Sequence, residues 1–277
     1  MEKNKQNQRV GDNSNSLQVG GDMYVSQGIQ YSQIKEIAMD VFKSNFYDLG
    51  EEAAKIAKRR AEEAVSDFID KLKKDAPESI KNMSDPDVQY SLFEVQKSYA
   101  RLGDKEMSEL LSDVLVKRIS SQDESFLKLV LNESLTIIPK LTAKQIDILA
   151  LIFFVRYVNF SQEIPLEIYW NNINGVIQST DIPENDVFYQ HLQYSGCLSI
   201  SIGSASFNDI MKHKFPKGEN EISASINSRS EIITLKRKWD KTKLCNSTLT
   251  SVGIAIAISH LKRKTGIELD YRIWING

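Results

Sequence analysis

Two apolar runs, Leu149–Val155 and Val252–Ile258, constrain this chain more than any other feature. Crossing a bilayer as a helix takes roughly 20 apolar residues. Both runs are far shorter, so each is expected as a core helix and no stable membrane span is expected. The chain has 277 residues, 41% hydrophobic and 26% charged. That balance is globular, and such a chain can bury a sizeable core without staples, divided into about two domains. Its two cysteines, Cys197 and Cys245, cannot build a disulfide framework, which points to a reducing compartment. The opening MEKNKQNQRV is polar where a secretory signal needs an apolar stretch. A cytoplasmic location is therefore the expectation.

Most of the chain carries helical periodicity. Ile34, Ile37, Ala38, Val41, Phe42 and Phe46 follow the i, i+3, i+4, i+7 pattern of one buried face, with Ser32 in position to cap it. Glu51–Lys74 is a second amphipathic helix. Asp85-Pro86 reads as an N-cap followed by an N1 proline, and the helix it opens should end at Gly103. Asp104 caps a further helix, and Phe126–Ile138 makes one more before Pro139. Thr142 caps the helix of the first apolar run. Helices are also predicted over Pro165–Ile177, Pro183–Ser195, Phe207–His213 and Ile222–Leu244. Gly196 stops one of these. Cys197–Ile202 alternates as a strand, as does Ile267–Ile275. Thr250 caps the helix Ser251–Lys264, which Gly266 ends. The predicted fold is mainly α: a polar N-terminal β-element over residues 1–30, a helical bundle over 31–140, and an α+β domain over 141–277.

Catalytic signatures are missing. The sequence has no GxSxG elbow, HExxH or Walker A pattern. Gly20-Gly21 is followed by Asp22, which would repel a phosphate. The three histidines, His191, His213 and His260, do not pair with each other or with cysteine at zinc-ligand spacing. Asp87, Glu94 and Lys97 resemble a nuclease carboxylate–lysine set, but the segment is helical and Glu94–Lys97 reads as an i, i+3 surface pair. No catalytic residue, metal or cofactor is assigned, and a non-enzymatic role is expected.

The first thirty residues differ from the rest in being rich in Asn, Gln, Ser and Gly. Gln8-Arg9-Val10-Gly11-Asp12 is echoed by Gln18-Val19-Gly20-Gly21-Asp22, with the turn-forming Asn13–Ser16 between them. Leu17, Gln18, Val19 and Gly20, followed by Tyr24, form an aliphatic–Gln–aliphatic–Gly core. This core resembles RIP homotypic interaction motifs and the similar amyloid signalling motifs of bacteria and fungi. The resemblance implies self-assembly: glutamine amides ladder along a stack while Leu17 and Val19 face opposite sides. Asp22 would repel its copies in every layer, which favours a closed assembly of a few chains. A homo-oligomer with a protein partner is expected on this basis.

At the other end, Leu192-Gln-Tyr-Ser-Gly-Cys-Leu-Ser-Ile reads as a helix passing through glycine into a strand, and Leu249-Thr-Ser-Val-Gly as a strand end, cap and helix. This pattern resembles winged-helix domains and the C-terminal half of Abi-alpha-type abortive-infection proteins. The whole chain is similar to an uncharacterised bacterial family with a GDNS…QxGGD start and the same C-terminus. These resemblances imply a winged-helix-like C-terminal domain and a place in bacterial phage defence. Residues 197–277 hold 13 Lys/Arg against 7 Asp/Glu, a net +6, although the chain overall is −2. Lys236, Arg237, Lys238, Lys241 and Lys243 form one basic cluster and Lys262, Arg263 and Lys264 another. Such groupings suit phosphate contacts, so a nucleic-acid-binding regulator is the alternative to assembly and partner binding.

Overall fold

The computed structural model describes residues 30–44, 50–121, 126–160, 164–178, 181–216 and 219–275. It is mainly helical with one small sheet. Helices α1 (Tyr31–Ser44), α2 (Glu51–Asp75), α3 (Pro86–Leu102), α4 (Lys105–Ser120) and α5 (Phe126–Ile137) form the first half. Helices α6 (Ala143–Arg156), α7 (Leu166–Val176) and α8 (Asp186–Tyr194) lead to strand β1 (Leu198–Ile200). Next come α9 (Phe207–Lys214), α10 (Glu219–Ser228), α11 (Ser230–Lys241), β2 (Ser247–Leu249) and α12 (Ser251–Thr265). The assembly residues Leu17, Gln18, Val19, Gly20 and Tyr24, with Phe46, lie outside the described residues.

The predicted caps explain the boundaries. The Asp85 carboxylate accepts from Asp87 N at 2.9 Å, and Asp104 accepts from Met107 N at 3.0 Å. Thr142 and Gln145 form a reciprocal capping box at the start of α6. Gly103 and Gly266 adopt left-handed φ of 69° and 75° at the ends of α3 and α12. Ser32 is not a cap: α1 starts one residue before it, where the Gln33 side chain accepts from Gln30 N. Likewise α8 starts at Asp186 rather than Pro183, because Asn185 caps it by accepting from Phe188 N at 2.8 Å.

Two further expectations are corrected. The predicted helix over Ile222–Leu244 is two helices, broken where Arg229 is extended (φ −123°, ψ 117°). The break falls in Asn227-Ser228-Arg229-Ser230, whose short polar side chains compete with the helix backbone. Ser228 does so by donating to Ser225 O. The predicted strand Ile267–Ile275 is an irregular segment with a 3-10 turn at Tyr271–Ile273. Asp270 turns the chain by accepting from Arg272 N at 3.0 Å. Tyr271 and Ile275 are buried there, and Trp274 sets its edge against Phe153 at 5.0 Å.

The two apolar runs become the centre. Residues 252–261 of α12 are buried all round, as are 148–155 of α6. These two helices pack on each other, and α4, α5 and α7 close around α12. Among the described residues no helix is long and apolar enough to cross a membrane. Ion pairs tie α12 to the first half: Arg263 holds Asp113 at 3.0 Å and also pairs with Glu109, while Lys71 of α2 pairs with the same Asp113.

The sheet is the joint that sets α12 in place. Leu198 pairs with Leu249 and Ile200 with Ser247, antiparallel. Gly196 turns out of α8 at φ 74°. Thr250 caps α12 by accepting from Gly253 N at 3.1 Å, donates its hydroxyl to Gly196 O at 2.6 Å, and donates its backbone N–H to Cys197 O. A Cβ on Gly253 would lie 1.9 Å from Cys197 O. The Ser-Gly-Cys and Leu-Thr-x-x-Gly segments are thus the two halves of one contact. Backbone cannot retreat as a flexible side chain can, so Gly253→Ala is expected to cost about 3 kcal/mol or more. Gly203→Ala, where nothing lies within 4 Å, should be close to neutral. Urea unfolding of both variants measures the difference.

Candidate functional site: a cleft at Lys214

A cleft of about 600 Å³ opens where the chain leaves α6, beside the end of α9 and the start of α10. Its lining combines the apolar side chains of Phe160, Ile164, Leu166, Phe215 and Ile222 with the polar ones of Asn159, His213, Lys214 and Glu221, and polar and apolar surface are exposed there in about equal measure. Ligand sites likewise combine apolar walls with placed polar groups.

Aromatic packing positions the walls. Tyr169 of α7 is fully buried and gathers Phe154 (5.0 Å between centroids), Phe160 (6.2 Å), Trp170 (5.1 Å) and Phe215 (5.3 Å). The seam continues through Phe207 to Trp239, over which the Arg156 guanidinium lies. Trp170 also donates to Ser225 Oγ at 2.9 Å and so fixes α10 to α7. Two residues of the cleft lining, Phe160 and Phe215, are thus packed on Tyr169 of α7.

Lys214 is the last residue of α9. Its ammonium reaches back to the segment leaving α6, donating to Val158 O and to Asn159 Oδ1, the latter at 3.2 Å. Both partners are dipoles, and among the described residues no carboxylate pairs with it. Burial pushes the Lys214 ammonium down to about 8. An ammonium has three N–H groups, so one remains for a third acceptor.

Other polar groups are committed to the fold. His260 Nε2 meets Asp147 Oδ1 at 2.6 Å across α12 and α6. The neighbouring Ser259 is turned elsewhere, to Ala255 O and Tyr271 OH, so the three do not form a hydrolase triad. His191 Nδ1 contacts Gln145 Nε2 at 3.0 Å. Asp87 pairs with the buried Arg118, which also donates to Asn132, while Glu94 pairs with Lys97. Cys197 is buried and its thiol is pushed up to about 12, which makes it a packing group. Among the described residues no group of three His, Cys, Asp or Glu side chains is placed to hold a metal ion.

The model of an uncharacterised protein family matches residues 28–236 and 216–275. The chain belongs to that family. Neither a curated protein nor a solved structure matches it. The family match takes in the whole cleft and the Thr250–Gly253 joint and begins after Tyr24.

The basic residues singled out in the sequence divide into two groups. Lys238 donates to Ile182 O and pairs with Glu184; Lys243 pairs with Asp186 at 3.1 Å; Lys262 pairs with Glu268 at 2.6 Å; Arg263 is held by Glu109 and Asp113. Lys236, Arg237, Lys241 and Lys264 have no ion pair among the described residues. Lys236–Lys241 lie on α11 and Lys243 just after it, whereas Lys262, Arg263 and Lys264 lie in the last turn of α12. Lys214, the cation of the cleft, carried no distinguishing signal in the sequence.

The depressed titration of Lys214 has a signed consequence for stability. Its folded value lies below its ordinary one, so the buried-charge penalty is fully present below about 8. The penalty is relieved as pH rises toward the unfolded value. Unfolding free energies of wild type and Lys214→Met, compared at pH 7 and pH 10, should show wild type gaining about 2 kcal/mol on the variant. An unchanged difference between the two would show that Lys214 is not desolvated.

Proposed function

We propose that this protein is a non-enzymatic binding component of bacterial defence or stress responses. In this reading it takes a small ligand in the Lys214 cleft and assembles with copies of itself through Leu17, Gln18, Val19, Gly20 and Tyr24. The observation that carries ligand binding is a cleft whose apolar side chains Phe160 and Phe215 pack on Tyr169 and which holds a desolvated cation whose partners among the described residues are dipoles. Commitment of His260, His191, Ser259 and Asp87 to structural bonds supports a binding role over catalysis. Assembly is supported by the sequence pattern at residues 17–24.

Two measurements test the halves of this reading. Saturation-transfer NMR with octanol should show saturable binding to the full chain. His213→Trp, which fills the mouth from an exposed position, should weaken that binding about tenfold through lost access to the cleft. For assembly, light scattering after size-exclusion chromatography should show a defined oligomer that the Gln18→Ala, Gly20→Ala double variant lacks. Equal masses for the two would remove residues 17–24 as the interface.

A second reading rests on α11, whose Ile232, Leu235 and Trp239 are buried while Arg237 and Lys241 are exposed and Lys236 half-buried. That face could contact phosphates. If it does, affinity for duplex DNA should fall steeply with salt, and replacing Lys236, Arg237 and Lys241 by Ala should reduce the logarithmic salt slope by about 3. Binding that ignores salt would exclude it.

A further inference from the structure

The chemistry of the cleft narrows its ligand, an inference that rests on the binding reading above. We infer that the Lys214 cleft selects an amphipathic monoanion, a molecule with an apolar body and a single carboxylate, whose carboxylate is the charge partner of Lys214.

Three features of the cleft lead there. The walls formed by Phe160, Ile164, Leu166, Phe215 and Ile222 accept hydrocarbon or an aryl ring and offer it no hydrogen bonds. The charge is a cation already stripped of much of its water, and Val158 O and Asn159 Oδ1 neutralise none of it. A buried charge left with dipoles alone is relieved most by an opposite charge in hydrogen-bond contact. The third feature sets the size of that opposite charge. Glu221 lies on the exposed rim of the same cleft. A dianion such as a phosphate monoester would meet that carboxylate with one ammonium among the described lining residues to offset it, whereas a monoanion balances Lys214 one for one. His213, also exposed on the rim, is the remaining titratable group among the described cleft residues.

Ionisation of Lys214 then sets the pH dependence. A carboxylate ligand needs the ammonium form, so its affinity falls as pH rises past about 8. A neutral ligand with the same body makes no such demand.

The test uses octanoate and octanol as probes with the full chain, followed by ligand-detected NMR between pH 7 and pH 9.5. Octanoate is expected to bind about tenfold more tightly than octanol at pH 7, the increment of one charge-assisted hydrogen bond. That preference should shrink as pH rises. Lys214→Met should abolish it and Lys214→Arg should retain it and remove its pH dependence, with thermal melts confirming that both variants fold. Octanol binding as well as octanoate at every pH would overturn the monoanion assignment and leave the cleft a neutral apolar site. Saturable binding of neither probe would overturn the binding reading itself.

Discussion

Helix α12 has no polar face along its middle, and the rest of the fold follows from having to enclose it. An amphipathic helix can rest on a surface, but one that is apolar all round must be surrounded. The first half of the chain supplies α4 and α5 for that purpose, and the second half supplies α6 and α7. Neither half covers α12 alone. The helix that comes last in the chain is therefore the common core of both, and the buried cluster runs without interruption from Ile34 to Ile275. Fixing a C-terminal element against residues more than a hundred positions upstream is entropically demanding, because non-local contacts are made only after large loops close. The ion pairs of Arg263 with Asp113 and Glu109 lie at that closing point.

Enclosure alone does not determine how α12 enters the core; the joint at its start does. The sheet contributes little by size, since each strand has three residues. Its role is to bring the Cys197 carbonyl against Gly253 while Thr250 bonds both sides of the contact. Burial of Cys197 and the missing side chain at Gly253 are parts of one fit. The same arrangement directs the chain from β1 into α9, and α9 ends in Lys214.

Local chemistry was legible in the sequence and convergence was not. Asp85-Pro86, Gly103, Asp104, Thr142, Gly196, Thr250 and Gly266 could each be placed because capping and left-handed turns are properties of a few adjacent residues. The two apolar runs could be assigned to the core by length. Alternation misled at Ile267–Leu269, because period two describes which side chains are buried and not whether a pairing partner exists. At Ser228–Ser230 the overall helical pattern hid a break that only the short polar side chains betray. The cleft is further out of reach. Its described lining comes from residues 158–160 and 164–166 together with 213–216, Glu221 and Ile222, and what brings Phe160 and Phe215 together is Tyr169, a residue that reads in sequence as one more apolar position on a helix. Lys214 is ordinary in composition; its distinguishing property is lost solvent, which arises only once α6, α7 and α9 have packed.

The basic C-terminal region shows the same limit from the side of charge. A net +6 over residues 197–277 reads as an electrostatic footprint when counted along the chain. In space, Arg263 is spent on carboxylates of α4, which belong to the acidic remainder of the chain, and Lys262 on Glu268. Lys238 fastens the segment before α8 at Glu184, and Lys243 the first residue of α8, Asp186. These cations are internal fasteners whose contribution to the outer field is cancelled at contact distance, and a phosphate would have to displace a carboxylate to use them. What remains for a partner is the exposed side of α11. The cleft presents the opposite case, a cation that meets no carboxylate among the described residues, and one uncancelled, desolvated charge recognises a ligand more selectively than several paired ones.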